Sequence, residues 1–246
     1  MIPFQFLLPN GCPASIYLNN RDHAQRPKAK IKYWVKARIV DFIDDETNLI
    51  AKCKKCLTIT EEPPNFEFLM MQMCEQRVTS WCCFDQGSSR ANISFEKSTF
   101  EPTDLFETLV VILNFNCNVA MTGLILFLEQ EITLKGENNR VFRETVILGE
   151  QTFEGAAANQ VEGVERQLKV QLSNIKFKTI PSRTKKGEMK TYSERDLKLM
   201  SQAQPSTHGT IISNEYFLTV RTQYEGWSCL TVQPMARVPI TLVASS

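Results

Sequence analysis

The sequence predicts an all-β fold of packed antiparallel sheets, a sandwich, and three observations carry that prediction. Apolar and polar residues alternate from end to end, turn-forming residues punctuate the chain at spacings too short for helical crossovers, and no long amphipathic helix interrupts the series. Successive side chains on a strand point to opposite faces, so each alternating series marks a half-buried strand.

In chain order, Phe4 and Phe6 open a strand predicted over 2–7, which Pro9-Asn10-Gly11 and Pro13 close. "KIKYWVKARIV" is predicted as one strand, with Ile31, Tyr33, Val35, Ala37 and Ile39 on its apolar face. Lys30, Lys32, Trp34, Lys36 and Arg38 then form a basic, aromatic outer face. The pattern returns at Leu57 and Ile59, at Ala91, Ile93 and Phe95, and at Leu109, Val111, Leu113 and Phe115. Leu124, Leu126 and Leu128 follow, then Phe142, Val146 and Leu148, Leu168, Val170 and Leu172, and Tyr216, Leu218 and Val220. A last strand runs from Val238 to Val243, and Pro239, which cannot donate to a ladder, assigns it to a sheet edge. Gly87-Ser88-Ser89, Glu101-Pro102, Gly136-Glu137-Asn138-Asn139 and Gly155 separate the strands.

The one helix candidate is "SERDLKLMSQ", where Ser193 caps and Asp196 closes a capping box ahead of Leu197 and Met200. It lies in a charged insert over 181–204, which carries Arg183, Lys185, Lys186 and Lys190 with Glu188, Glu194 and Asp196, and reads as a solvated surface excursion. Alternation also lapses over 61–80, around "EEPPNFEFLMMQM". This places a boundary between a first unit, 1–77, holding too few strands for a sandwich, and a second, 78–246.

Composition narrows the function classes. The 246 residues suffice for a sizeable core, and a net charge of +1 gives no general attraction to nucleic acid or membrane surfaces. The longest apolar runs, "LVVIL" and "LILFL", fall far below the ~20 residues that span a bilayer. Pro3 and Pro9 break the only stretch that could serve as a signal peptide, so the expected location is the cytoplasm, where the eight cysteines stay reduced.

Cys53 and Cys56 form a C-x-x-C, and with the adjacent pair Cys82 and Cys83 they supply four thiolates, the count a zinc ion takes. Adjacent cysteines chelate less naturally than spaced ones, so small buried thiols are the plainer reading and no cofactor is expected. No phosphate loop, nucleophile elbow, zincin helix or dinucleotide fingerprint occurs, and His23 and His208 each sit in a turn-like stretch without a motif partner. The expected protein is not an enzyme. The face of Lys30, Lys32, Trp34, Lys36 and Arg38 is the candidate partner surface, suited to an acidic tail or lipid headgroups, beside its plainer reading as a solvated outer face.

Four stretches, in order along nearly the whole chain, resemble the arrestin superfamily, and its α-arrestin (arrestin domain-containing) branch most closely. "IPFQFLLPNGCPAS" with "IKYWVKARIV" is similar to the second half of an arrestin N-domain. "CCFDQGSSRANISFEKSTFEPTDLFETLVVILNFN" resembles the start of the C-domain, "PSTHGTIISNEYFLTV" its late segment and "VPITLV" its closing strand. The resemblance implies two immunoglobulin-type β-sandwich domains, the first incomplete, with the strands at 2–7 and 31–40 left without their covering half. A second chain completing that half in trans is one expectation, an absent upstream half the other.

The resemblance further implies an adaptor that binds membrane-protein tails and couples them to endocytosis and protein transport, touching membranes at most peripherally. A retromer-like structural coat subunit is the rival within the superfamily, and a zinc- or redox-active cysteine protein the rival outside it. "PPNF" at Pro63 to Phe66 departs from the PPxY by which α-arrestins recruit ubiquitin ligases, since Phe66 lacks the hydroxyl, and reads as an extended hinge.

Overall fold

The computed structural model describes residues 5–19, 28–40, 49–61, 71–80, 84–95, 97–101, 104–171, 204–226 and 235–243. Fourteen strands and one 3-10 turn at Glu137–Asn139 make up their regular structure. The insert over 181–203, its helix candidate, the "PPNF" segment, His23, Cys82 and Cys83 lie outside the described residues.

The described residues between 71 and 243 build a two-sheet sandwich. One sheet orders β10 (Val141–Ala156), β9 (Met121–Lys135), β13 (Ile212–Tyr224), β14 (Met235–Leu242) and β7 (Thr99–Phe100), with β12 (Thr207–His208) also pairing β13. The other orders β11 (Gln160–Gln171), β8 (Leu105–Cys117), β6 (Phe84–Phe95) and β5 (Met71–Ser80). All pairings are antiparallel except the short one between β14 and β7. β14 is not the sheet edge that Pro239 led the sequence reading to expect, since β7 lies beyond it; Pro239 is accommodated because β7 reaches only Thr241 and Leu242 of β14.

The core fills where inner faces meet. Leu124, Leu126, Leu218, Val220, Ala236 and Val238 from the larger sheet pack with Ile93, Val110 and Ile112 from the smaller. Leu128, Tyr216, Ile240 and Leu242 close one end around Phe100. Each large aliphatic side chain so buried contributes about 1.5–3 kcal/mol relative to exposure. At the other end, the fully buried Asn114 amide donates to Val119 O (3.1 Å) and Ala157 O (2.9 Å), tying together the turns that follow β8 and β10. Gly87 is required where β6 bends: its φ is +100°, and a Cβ there would stand 1.8 Å from Asn116 O.

Several expectations change. On β8 the apolar alternation at Leu109, Val111, Leu113 and Phe115 marks the outer face, since Val110 and Ile112 are fully buried while Leu109 and Phe115 are 38% and 40% exposed. "LVVIL" is apolar at every position, so alternation cannot fix which face turns inward. The 77/78 boundary falls inside β5, whose residues from Met71 to Ser80 pair with β6, so the ladder carries 71–77 into the second unit. No strand forms over 5–9, residues 2–4 of the strand expected over 2–7 lie outside the described residues, and the first strand among those described is β1 (Ile16–Asn19).

The single strand expected over 30–40 is divided at Lys32. β2 (Lys28–Ile31) pairs β1, and β3 (Tyr33–Val40) pairs β4 (Leu49–Leu57), giving two separate two-stranded ribbons.

Candidate functional site

Burial in the first unit is confined to one place. Ala14, Ser15, Ile16, Tyr17 and Ile59 are its buried side chains among the described residues, and they gather where the ribbons meet the sandwich. Ser15 closes the inner joint, its N–H donating to Ile59 O (2.8 Å) while its hydroxyl oxygen accepts from Ile59 N–H (3.0 Å). Tyr33, at the start of β3, donates its hydroxyl to Pro13 O (2.8 Å). Burial, then the neighbouring Cys12 and Glu61, push its phenol above the ordinary range.

The outer joint is supplied by residues 204–208, just ahead of β13. Tyr17 N–H donates to Gln204 Oε1 (3.0 Å) and Ala14 N–H to Thr207 Oγ1 (3.1 Å). The Glu61 carboxylate is the hub. Its Oε1 accepts from Ala14 N–H (3.2 Å) and from the Thr207 hydroxyl, and both oxygens accept from His208 N–H (3.1 Å each). His208 Nδ1 lies 3.4 Å from Glu61 Oε2, and its Nε2 lies 3.9 Å from Glu215 Oε1.

This supplying segment is itself held from beneath. Asn214 Nδ2 donates to Gln204 O (3.2 Å) and Pro205 O (2.8 Å), while its Oδ1 accepts from Gln130 Nε2 (2.8 Å). Tyr216 donates to Gln204 O (2.5 Å), and burial pushes its phenol well above the ordinary range. Ser206 exchanges bonds with Leu242, N–H to O at 2.7 Å and N–H to Oγ at 2.9 Å. Buried polar groups persist when paired, so this network fixes where Gln204 and Thr207 stand.

The candidate partner residues lie beyond the junction. Trp34, Lys36 and Arg38 share one face of β3, as the alternation requires, and all three are exposed, Trp34 to 54%. Lys30 lies apart in β2, with its ammonium 4.8 Å from the centre of the Tyr17 ring, and Lys32 sits at the break between the strands. β4 adds two cations the sequence reading passed over. Lys54 stands opposite Lys36 and Lys52 opposite Arg38, and Lys54 Nζ lies 4.1 Å from the centre of the Trp34 ring, within cation–π range. The alternation in "AKCKKCL" was the available signal, but only the β3–β4 register joins the two faces.

The thiols do not converge. Cys53 and Cys56 stand three positions apart on β4, opposite Ala37 and Trp34, and a strand turns such residues to opposite faces. Among the described residues no group of three or more His, Cys, Asp or Glu side chains lies close enough to hold a metal ion.

Two sheets around one core, with a preceding ribbon segment clasped to the strand that precedes β13, define an immunoglobulin-like β-sandwich. The family described as "Arrestin (or S-antigen), C-terminal domain" matches residues 85–246, well over half of the chain. The chain therefore belongs to the arrestin family, and the clasping "PSTH" is part of one of the stretches that resemble it. A search of curated proteins found no match.

Proposed function

We propose that this chain is a non-enzymatic adaptor of the α-arrestin kind, which binds cytoplasmic tails of membrane proteins or trafficking proteins and couples them to endocytosis and intracellular transport. Arrestin membership supports the adaptor class. The observation that carries the reading is the β3–β4 ribbon, which among its described side chains presents Trp34, Lys36, Arg38, Lys52 and Lys54 on one exposed face. An extended acidic tail adds along such a ribbon through main-chain bonds, with its carboxylates meeting the cations and its apolar side chains meeting Trp34. The proposed setting is the cytoplasm, peripheral to endosomal or plasma membranes, with no nucleic acid and no cofactor.

Titration of an extended acidic peptide against the protein, followed by fluorescence anisotropy, tests this. The expected result is saturable binding that weakens with salt and falls at least about tenfold in the Lys36→Glu, Lys54→Glu double variant. Equal binding by that variant removes the ribbon from the reading.

A retromer-type coat subunit is the second reading, favoured by the apolar side chains on the outer face and edges of the smaller sheet: Met71 is 64%, Met73 58% and Val161 81% exposed. A structural partner seated there binds constantly and with little salt dependence. The apolar face of β3, with Ile39 59% exposed, supports completion of the first unit by a further chain. The zinc or redox reading draws no support from Cys53 and Cys56, which face apart.

A further inference from the structure

We propose that Asn10 is a site of spontaneous, succinimide-mediated deamidation, which gives an exposed and otherwise uncharged stretch of the chain a carboxylate. Asn10-Gly11 is the one Asn-Gly step in the sequence, and it forms the turn that precedes the junction. Both residues are exposed and neither belongs to a strand, so no ladder holds their peptide groups. Gly11 has a φ of +77°, and nothing stands within 4 Å of where a Cβ on it would lie.

That setting meets the needs of one reaction. Base from solvent takes the Gly11 N–H proton, and the bared nitrogen attacks Asn10 Cγ. The new C–N bond closes a five-membered succinimide as the Cγ–Nδ2 bond breaks, and ammonia leaves with a proton drawn from water. Water then adds to either ring carbonyl and reopens the ring. Opening at the former side-chain carbonyl leaves aspartate, and opening at the former main-chain carbonyl leaves isoaspartate, whose backbone runs through Cβ and Cγ. Overall one water is taken up and one ammonia released, with no oxidation. A side chain at position 11 would crowd the attacking nitrogen, and a strand would keep the Asn10 amide from folding back on it. Gly11 and the turn remove both obstacles. Asn92, Asn114 and Asn214 keep them, since each stands in a strand and is followed by a residue with a side chain, Ile93, Phe115 and Glu215.

None of residues 1–20 is Asp, Glu, Lys, Arg or His, and just ahead of the turn Phe6, Leu7 and Leu8 are 51%, 90% and 47% exposed. Conversion therefore sets a carboxylate at the end of an exposed apolar run and breaks its uncharged character. The fold has room for the product. Residues 5–9 form no strand and are exposed, so they take up the extra backbone atom of isoaspartate, while the Pro13 ring and the Tyr33 hydroxyl bonded to its carbonyl fix the other side. The site stands independently of the adaptor reading, because the reaction needs no partner but water.

Incubation of the purified 246-residue chain in mildly alkaline buffer over days tests this, with samples digested in mild acid and mapped by mass spectrometry. The peptide that carries Asn10 should gain one mass unit in the greater part of the molecules, with isoaspartate the larger product. Peptides that carry Asn92, Asn114 and Asn214 should keep their mass, and hydrogen exchange in β9 should be the same before and after conversion. The rate should rise with pH, since the attacking nitrogen must lose its proton. Asn10→Gln, which would have to close a six-membered ring, should abolish the gain. An Asn10 peptide that keeps its mass, one that converts to aspartate alone, or equal conversion at the strand asparagines overturns the proposal.

Discussion

The strands β3 and β9 show the same alternation and meet opposite fates. On β9, Leu124, Leu126 and Leu128 are at most 1% exposed, because the smaller sheet lies across Leu124 and Leu126 and Phe100 and Leu242 close around Leu128. On β3, Val35 is half-buried, Ala37 exposed and Ile39 59% exposed, because among the described residues no sheet lies across from them. Alternation therefore identifies a strand and its apolar face, while burial of that face depends on a second layer. A two-stranded ribbon is marginal alone, and here it is held at one end by the junction and left open along the rest.

The largest expected effect lies on the closed side of this comparison. Leu126→Ala empties part of the sandwich core and should cost about 2–5 kcal/mol in chemical denaturation. A loss below about 1 kcal/mol would mean that the two sheets are not packed as described. Next comes the junction. Asn214→Ala leaves Pro205 O without its donor and weakens the hold on Gln204 O, with an expected cost of about 1–3 kcal/mol. Protease sensitivity of 13–17 should rise in the same variant; unchanged sensitivity would separate Asn214 from the docking of the ribbons.

A pH effect of intermediate size follows from Tyr216. Its phenol is raised by burial, so the stability it supplies is complete below the unfolded value of about 10 and is lost as pH rises beyond it. Alkaline denaturation should accordingly be less steep in Tyr216→Phe, and identical alkaline limbs would contradict the burial of the hydroxyl. The smallest effect belongs to the open side. Ile39→Ala should change stability by no more than about 0.5 kcal/mol, and a core-sized loss would reveal a covering layer over β3.

The division of β2 from β3 at Lys32 shows how far pattern reading reaches. "KIKYWVKARIV" alternates without a flaw, yet its two halves pair with different partners, β1 and β4, and Lys30 consequently leaves the face that Trp34, Lys36 and Arg38 share. The junction was still less legible. Glu61 and Thr207 are separated by 146 positions, and neither belongs to a local pattern that announces a partner. His208, read as an unpartnered turn residue, acquires both its carboxylates through the fold.

By itself the sequence determined the all-β class, the position of most strands of the second unit and the resemblance to arrestins, because strand periodicity and turn chemistry are properties of neighbouring residues. Tertiary structure alone decided which face of β8 turns inward, where β5 belongs, which cations gather around Trp34 and how Glu61 joins the two units. Those choices rest on contacts between residues far apart in the chain, whose free energy appears only when a second sheet or a distant segment is present to make them.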